Sequence, residues 1–168
     1  MADKEASIEP IVMVLELEAT PAEAYERFTA GFGEWWPTLT HSLSRDASTR
    51  CAIEPRVGGR VFETAPGGDE HLWGTVTGVE PGRSIAFTWH PGREPGSAQQ
   101  VTLRFERLGA RTCVMLTHGG WEALGEIAPI MRREYLPGWQ HVFGELFARA
   151  HYWVRMIRQI RERLDVLG

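Results

Sequence analysis

Trp73-Gly-Thr-Val-Thr-Gly-Val-Glu-Pro-Gly-Arg-Ser-Ile-Ala-Phe-Thr-Trp89 holds two runs rich in β-branched and aromatic residues, joined by Pro81-Gly-Arg. Alternation on either side of a turn triplet predicts an antiparallel hairpin, not a strand-helix-strand unit. The same texture spreads outward. Arg50 to Glu54, Gly59 to Thr64, Glu70 to Glu80, Ser84 to His90, Ala98 to Leu108 and Thr112 to His118 read as strands. Further turns fall at Ala65-Pro-Gly-Gly-Asp, Pro91 to Gly96 and Gly109-Ala. Upstream, Ile8 to Ala19 is one more strand, in which Leu15 and Leu17 alternate with Glu16 and Glu18. The expectation is an antiparallel sheet of about seven strands.

Helices lie at the two ends of this meander. Thr20-Pro-Ala-Glu combines a capping threonine, a proline in the first turn and a glutamate three residues on, which starts a short helix over Pro21 to Thr29. Gly31-Phe-Gly-Glu-Trp-Trp-Pro reads as a helical turn carrying two tryptophans, and Thr38 to Ser48 as a polar loop. After Gly120, the segment Glu122 to Glu134 has no clear period. A long amphipathic helix is then expected from Pro137 onward. Trp139, Val142, Phe143, Leu146, Phe147, Ala150, Trp153, Val154, Ile157, Ile160 and Leu164 form its apolar stripe, and Arg149, Arg155, Arg158, Arg161 and Arg163 lie opposite.

The chain has 168 residues, 43% apolar and 24% charged, the profile of one globular domain spanning 1–168. A net charge of -4 argues against nucleic acid as a partner. No run is long and apolar enough for a bilayer, and Met1 to Glu9 lacks a signal-peptide core, so no membrane association and a cytoplasmic location are expected. Cys51 and Cys113 are expected as buried free thiols.

A bent sheet closed by a single helix leaves a pocket unless large side chains fill it. Seven tryptophans are spread over elements that face one another in such a fold. Trp36, Phe62, Trp73, Phe87, Trp89, Met115, His118, Trp139 and Phe143 are the candidate wall of that cavity. His118 and an indole N–H are the groups expected to orient a polar end of a ligand. His71 and Arg104 are weaker polar candidates.

Local signatures of chemistry are missing. There is no nucleophile elbow, no metal-ligand spacing among the six histidines and no phosphate loop, so neither a metal nor a cofactor is expected. No catalytic residue is assigned. Acid–base work by groups from distant strands would draw on Glu54, Glu63, Glu70 and His118.

Seven blocks then occur in a familiar order over about Ile8 to Ala150. They are Thr20-Pro-Ala-Glu-Ala-Tyr, Trp35-Trp-Pro, Gly58-Gly-Arg-Val-Phe, Trp73-Gly-Thr-Val-Thr-Gly-Val-Glu-Pro, Ile85-Ala-Phe-Thr-Trp, Val114-Met-Leu-Thr-His-Gly-Gly-Trp and Gly138-Trp. In these the chain resembles the AHSA-like family, homologues of the activator of the heat-shock-protein ATPase, within the START/polyketide-cyclase (SRPBCC, Bet v-like) superfamily. The resemblance implies an α+β helix-grip (START-like) fold, with a hydrophobic cavity between the curved sheet and the long helix. It does not imply chaperone activation. The family's pattern finishes near Ala150, so 151–168 is a helical C-terminal extension, whose apolar stripe needs cover from the domain's own loops or, as the favoured expectation, from a second copy in a homodimer through this C-terminal helix. Related proteins include cyclases, aromatases and carriers of lipids or hormones, and fold alone does not choose among them.

The functional expectation is binding of a small hydrophobic or aromatic molecule, with enzymatic activity the less favoured outcome. One alternative is a cyclase- or hydrolase-type enzyme using His118. Another is a protein-interaction or stress-related, co-chaperone-like module acting through Trp153 to Leu164.

Overall fold

The structure is a computed structural model and describes residues 8–150. Seven strands make one antiparallel sheet in the order β1-β7-β6-β5-β4-β3-β2. They are β1 (Ile11–Leu17), β2 (Arg50–Ile53), β3 (Arg60–Thr64), β4 (Glu70–Glu80), β5 (Ser84–Trp89), β6 (Gln99–Leu108) and β7 (Arg111–Gly119). From β2 to β7 each strand pairs with the next, and β1 closes the far edge by pairing with β7.

Alternation decides which face is buried. Ile85, Phe87 and Trp89 of β5, Val101, Leu103 and Phe105 of β6, and Val114, Leu116 and His118 of β7 all point inward and are buried. Register shifts at Val61/Phe62 and Val76/Gly78 break the ladders of β3 and β4, and such irregularities bend a sheet. The result is a curled half-barrel.

Two short helices, α1 (Pro21–Phe28) and α2 (Phe32–Trp35), follow β1. The cap of α1 forms as its sequence dictates. Glu23 N–H donates to Thr20 Oγ1 at 3.2 Å, and Thr20 N–H donates to the Glu23 carboxylate at 2.9 Å. The inner face of α1 buries Ala24, Tyr25 and Phe28.

A 3-10 stretch, Trp121–Ile127, leads into α3 (Ala128–His141), which continues through a π-helical stretch, Val142–Phe147, to residue 150. The long helix therefore starts well before the expected Pro137. Proline lacks the N–H that the Arg133 carbonyl would accept, but Pro137 and Arg133 are both exposed, so solvent supplies the missing donor and the helix runs on. Trp139, Val142, Phe143 and Phe147 form its buried stripe, completing the helix-grip arrangement. Cys51 is buried, whereas Cys113, expected to be buried, is only half-buried. The proposed extension and its dimer contact fall on 151–168, outside the described residues.

Candidate ligand-binding site

The site begins with four indoles from four separate elements. Trp36 ends α2, where the following proline favours extended backbone and Trp36 adopts φ -69, ψ 129. Its ring lies 5.5 Å from that of Trp73, 5.8 Å from Trp89 and 6.2 Å from Trp139. Trp89 in turn lies 5.6 Å from Trp73 and 5.8 Å from Trp139.

Gly74 makes part of this possible. Its α-carbon passes so close to β5 that a β-carbon would overlap the Thr88 carbonyl oxygen. The local pairing adjusts to this approach. His90 N–H donates to the Trp73 carbonyl at 2.6 Å, and Thr75 N–H donates to Thr88 Oγ1 at 2.9 Å. Trp73 and Trp89 are thereby brought together on the concave face.

All four indole N–H groups have protein acceptors. Trp36 donates to the His41 carbonyl at 2.7 Å, Trp73 to Glu63 at 2.9 Å, Trp89 to the Tyr135 hydroxyl at 3.1 Å and Trp139 to His118 Nδ1 at 2.8 Å. A buried indole with its N–H satisfied presents only its π surface and edges to anything further. The expectation that an indole N–H would orient a ligand is therefore corrected.

Glu63 is a fully buried carboxylate on β3. Besides the Trp73 indole, it accepts from Leu43 N–H at 2.8 Å, Ser44 N–H at 3.0 Å and the Ser44 hydroxyl at 3.1 Å. It thus ties the loop 38–48 across the indoles as a roof. Nearby Cys51 has its thiol pushed up to about 12, first by burial and then by the Glu63 charge, so it stays protonated and is no nucleophile.

Walls and roof enclose a cleft of about 220 Å³. Its floor and walls include Trp36, Trp73, Trp89, Trp139 and Val142, and its polar rim includes His41, Ser42, Arg45 and Tyr135. The hydroxyl of Tyr135 already accepts from Trp89, so its own proton remains to be donated.

His118 does not line this cleft. It is fully buried behind Trp139, with the Trp121 ring 4.2 Å and the Tyr135 ring 5.0 Å away. Because an indole can only donate, His118 Nδ1 is the acceptor and the ring proton sits on Nε2, which lacks a partner among the described residues. Burial, and then the Arg93 charge, lower its pKa to about 3. The imidazole is neutral and its lone pair is committed, leaving nothing for general-base work.

Of the expected wall residues, Trp36, Trp73, Trp89 and Trp139 line the cleft. Phe87, Phe143 and His118 are buried in the core around it. Phe62 and Met115 are corrections. Phe62 faces outward beneath the Arg60 guanidinium, 4.0 Å from its ring centroid, because its neighbours Val61 and Glu63 take the inner face. Met115 is 39% exposed because Val114 and Leu116, its neighbours on β7, are the inward pair. His71 and Arg104 are exposed, and Glu54 and Glu70 pair with Arg60.

Tyr135 and the roof residues were not among the candidates. The spacing of Tyr135 to Trp139 and Val142 was their only available signal.

The family described as activator of Hsp90 ATPase homolog 1-like protein matches residues 18–151. The chain belongs to this family. Among solved structures, this activator-like chain is similar to CalC, a self-sacrificing resistance protein from Micromonospora echinospora, at 20% identity. That match covers 85% of this chain and 94% of CalC, with a TM-score of 0.61. The Aha1 dimer from Colwellia psychrerythraea is similar at 16% identity, over 76% of this chain and 88% of that one, with a TM-score of 0.53. Txn09, an anthrahydroquino-gamma-pyrone synthase, is similar at 26% identity, over 75% of this chain and 86% of that one, with a TM-score of 0.52. No protein of curated function matches the sequence. No helix among the described residues is long and apolar enough to cross a membrane, and no three or more His, Cys, Asp or Glu side chains among them cluster as metal ligands would.

Proposed function

We propose that this activator-like domain binds a small planar aromatic molecule in the indole-walled cleft. The observation that carries the reading is the convergence of four indoles whose N–H groups are all satisfied within the protein. What they leave for a guest is aromatic surface, which favours offset or edge-on contact with another ring. Size narrows the choice. A cavity of about 150 Å³ accommodates benzene, so the 220 Å³ here suits a one- or two-ring body, with larger groups projecting through the mouth.

Catalysis in the same cleft is a second reading, supported by the similarity to the Txn09 synthase. His118 is not its base, since its lone pair accepts from Trp139. The Tyr135 hydroxyl is the group with a proton to offer.

Titration with 2-naphthamide, followed by tryptophan emission and by native mass spectrometry, tests the binding reading. Saturable quenching with one bound copy is expected, while an aliphatic amide of similar size leaves the emission unchanged. Absence of any bound naphthamide, or equal response to the aliphatic amide, sinks the proposal.

A further inference from the structure

Charge around the cleft mouth is one-sided. Arg45 and His41 line it, and none of its lining residues is an aspartate or glutamate. The Arg45 guanidinium makes no hydrogen bond or ion pair among the described residues, unlike Arg27, Arg60 and Arg111, and of the arginines it is the one that lines the cleft. His41 has the His141 ring 6.0 Å away. Its pKa is lowered by burial first, then by the His141 and Arg45 charges. Two carboxylates lie close by without lining the cleft: Glu145 faces His141 at 3.3 Å, and the buried Glu63 is taken up by the Trp73 indole and the Leu43 and Ser44 amides.

Backbone geometry singles out the same residue. Arg45 has φ 48, and among the described residues it is the one non-glycine with positive φ. Long side chains rarely adopt this conformation, and strained positions cluster where a side chain is held for a task. Arg45 N–H donates to Ser42 Oγ at 2.9 Å, while Glu63 grips the two preceding amides, Leu43 and Ser44. The turn is therefore pinned with its guanidinium at the rim. Tyr135, which lines the same cleft, carries the hydroxyl proton that its bond from Trp89 leaves unused.

Resting on the binding function proposed above, we infer that the ligand is an aromatic acid. Its one- or two-ring body lies among Trp36, Trp73, Trp89 and Trp139, and its anionic group sits at the mouth between Arg45, His41 and the Tyr135 hydroxyl. A neutral ring fills the walls but leaves this donor set unanswered. A free anion such as phosphate meets the donors but not the walls.

The test compares 2-naphthoate with 2-naphthamide, which have the same ring system and differ in charge, by tryptophan quenching at low ionic strength. Charge-assisted hydrogen bonds favour the acid by about tenfold in Kd. Arg45→Gln weakens naphthoate binding far more than naphthamide binding and so removes most of that preference, and Arg45→Lys restores part of it. Naphthamide binding that persists in the variant also shows that its cleft is intact. Equal affinity for acid and amide, or an acid preference that survives Arg45→Gln, overturns the inference while the cleft reading stands. If neither probe binds, the cleft reading falls and the inference with it.

Discussion

The Trp139 indole donates 2.8 Å to Nδ1 of His118, tying the long helix to the last strand through a histidine that has to stay neutral. Protonation of Nδ1 would set donor against donor inside a buried aromatic cluster. Burial, the larger cause, and the Arg93 charge together lower the His118 pKa to about 3.

The sign of the pH effect follows. Above an unfolded-state histidine pKa of about 6.5 both states are neutral and the contribution to stability is complete. As pH falls from there towards about 3, the unfolded chain takes up a proton that the folded one refuses, and stability drops. Between about pH 7 and pH 5 this amounts to roughly 2 kcal/mol. His118→Gln keeps an acceptor for Trp139 but does not titrate, so urea melts of the variant should show a shallower pH dependence. Equal slopes would falsify this assignment.

Gly74→Ala places a methyl group against the Thr88 carbonyl oxygen, part of the backbone and unable to rotate away. Overpacking of this kind costs about 1–3 kcal/mol. Chemical denaturation should show a loss in that range. Near-ultraviolet circular dichroism should change with it, since the strain falls between Trp73 and Trp89. A neutral substitution would contradict the close approach of β4 and β5.

Replacing Glu63 with glutamine keeps the shape but exchanges one acceptor oxygen for a donor NH2, facing groups that themselves donate. The Trp73 indole and the Leu43 and Ser44 amides all depend on this carboxylate. A loss of about 2–3 kcal/mol is expected. In hydrogen exchange, the Leu43 and Ser44 amides should lose protection selectively, and retention of their protection would mean that the roof is held by something else.

The two faces of β7 give a paired comparison. Met115→Ser on the outer face should change stability by less than about 0.5 kcal/mol, whereas Leu116→Ser in the core should cost about 3 kcal/mol or more. Thermal unfolding of the two variants distinguishes the faces, and similar losses would reverse the orientation.

These residues also show what the sequence could and could not disclose. Strand positions were legible because alternation is local, and the Thr20-Pro-Ala-Glu cap was legible because its parts lie within one turn. Met115 is hydrophobic enough to suit a cavity wall, but it has the opposite parity to Val114, Leu116 and His118, which take the inner face of β7. Phe62 failed for a different reason. The inward neighbour is Glu63, and a buried carboxylate makes sense only once the Trp73 indole and the loop amides around it are known. Pro137 resembled a helix start, yet Pro129 occupies that role, and the proline inside the helix is tolerated on an exposed face. The rim residues His41, Ser42 and Arg45 belong to a loop without periodicity, so their convergence with Tyr135 is purely tertiary.

The hold of Glu63 on the loop reaches beyond stability. It grips main-chain amides at Leu43 and Ser44, groups that every residue except proline supplies, while the side chains of His41, Leu43 and Arg45 are left to face the cleft. Apart from the hydroxyls of Ser42 and Ser44, the atoms that hold this loop differ from the side chains it turns to the cleft. On the binding function proposed above, substitutions at His41, Leu43 or Arg45 would rewrite what the cleft accepts without dismantling its roof, a replaceable reading head on a fixed aromatic chassis.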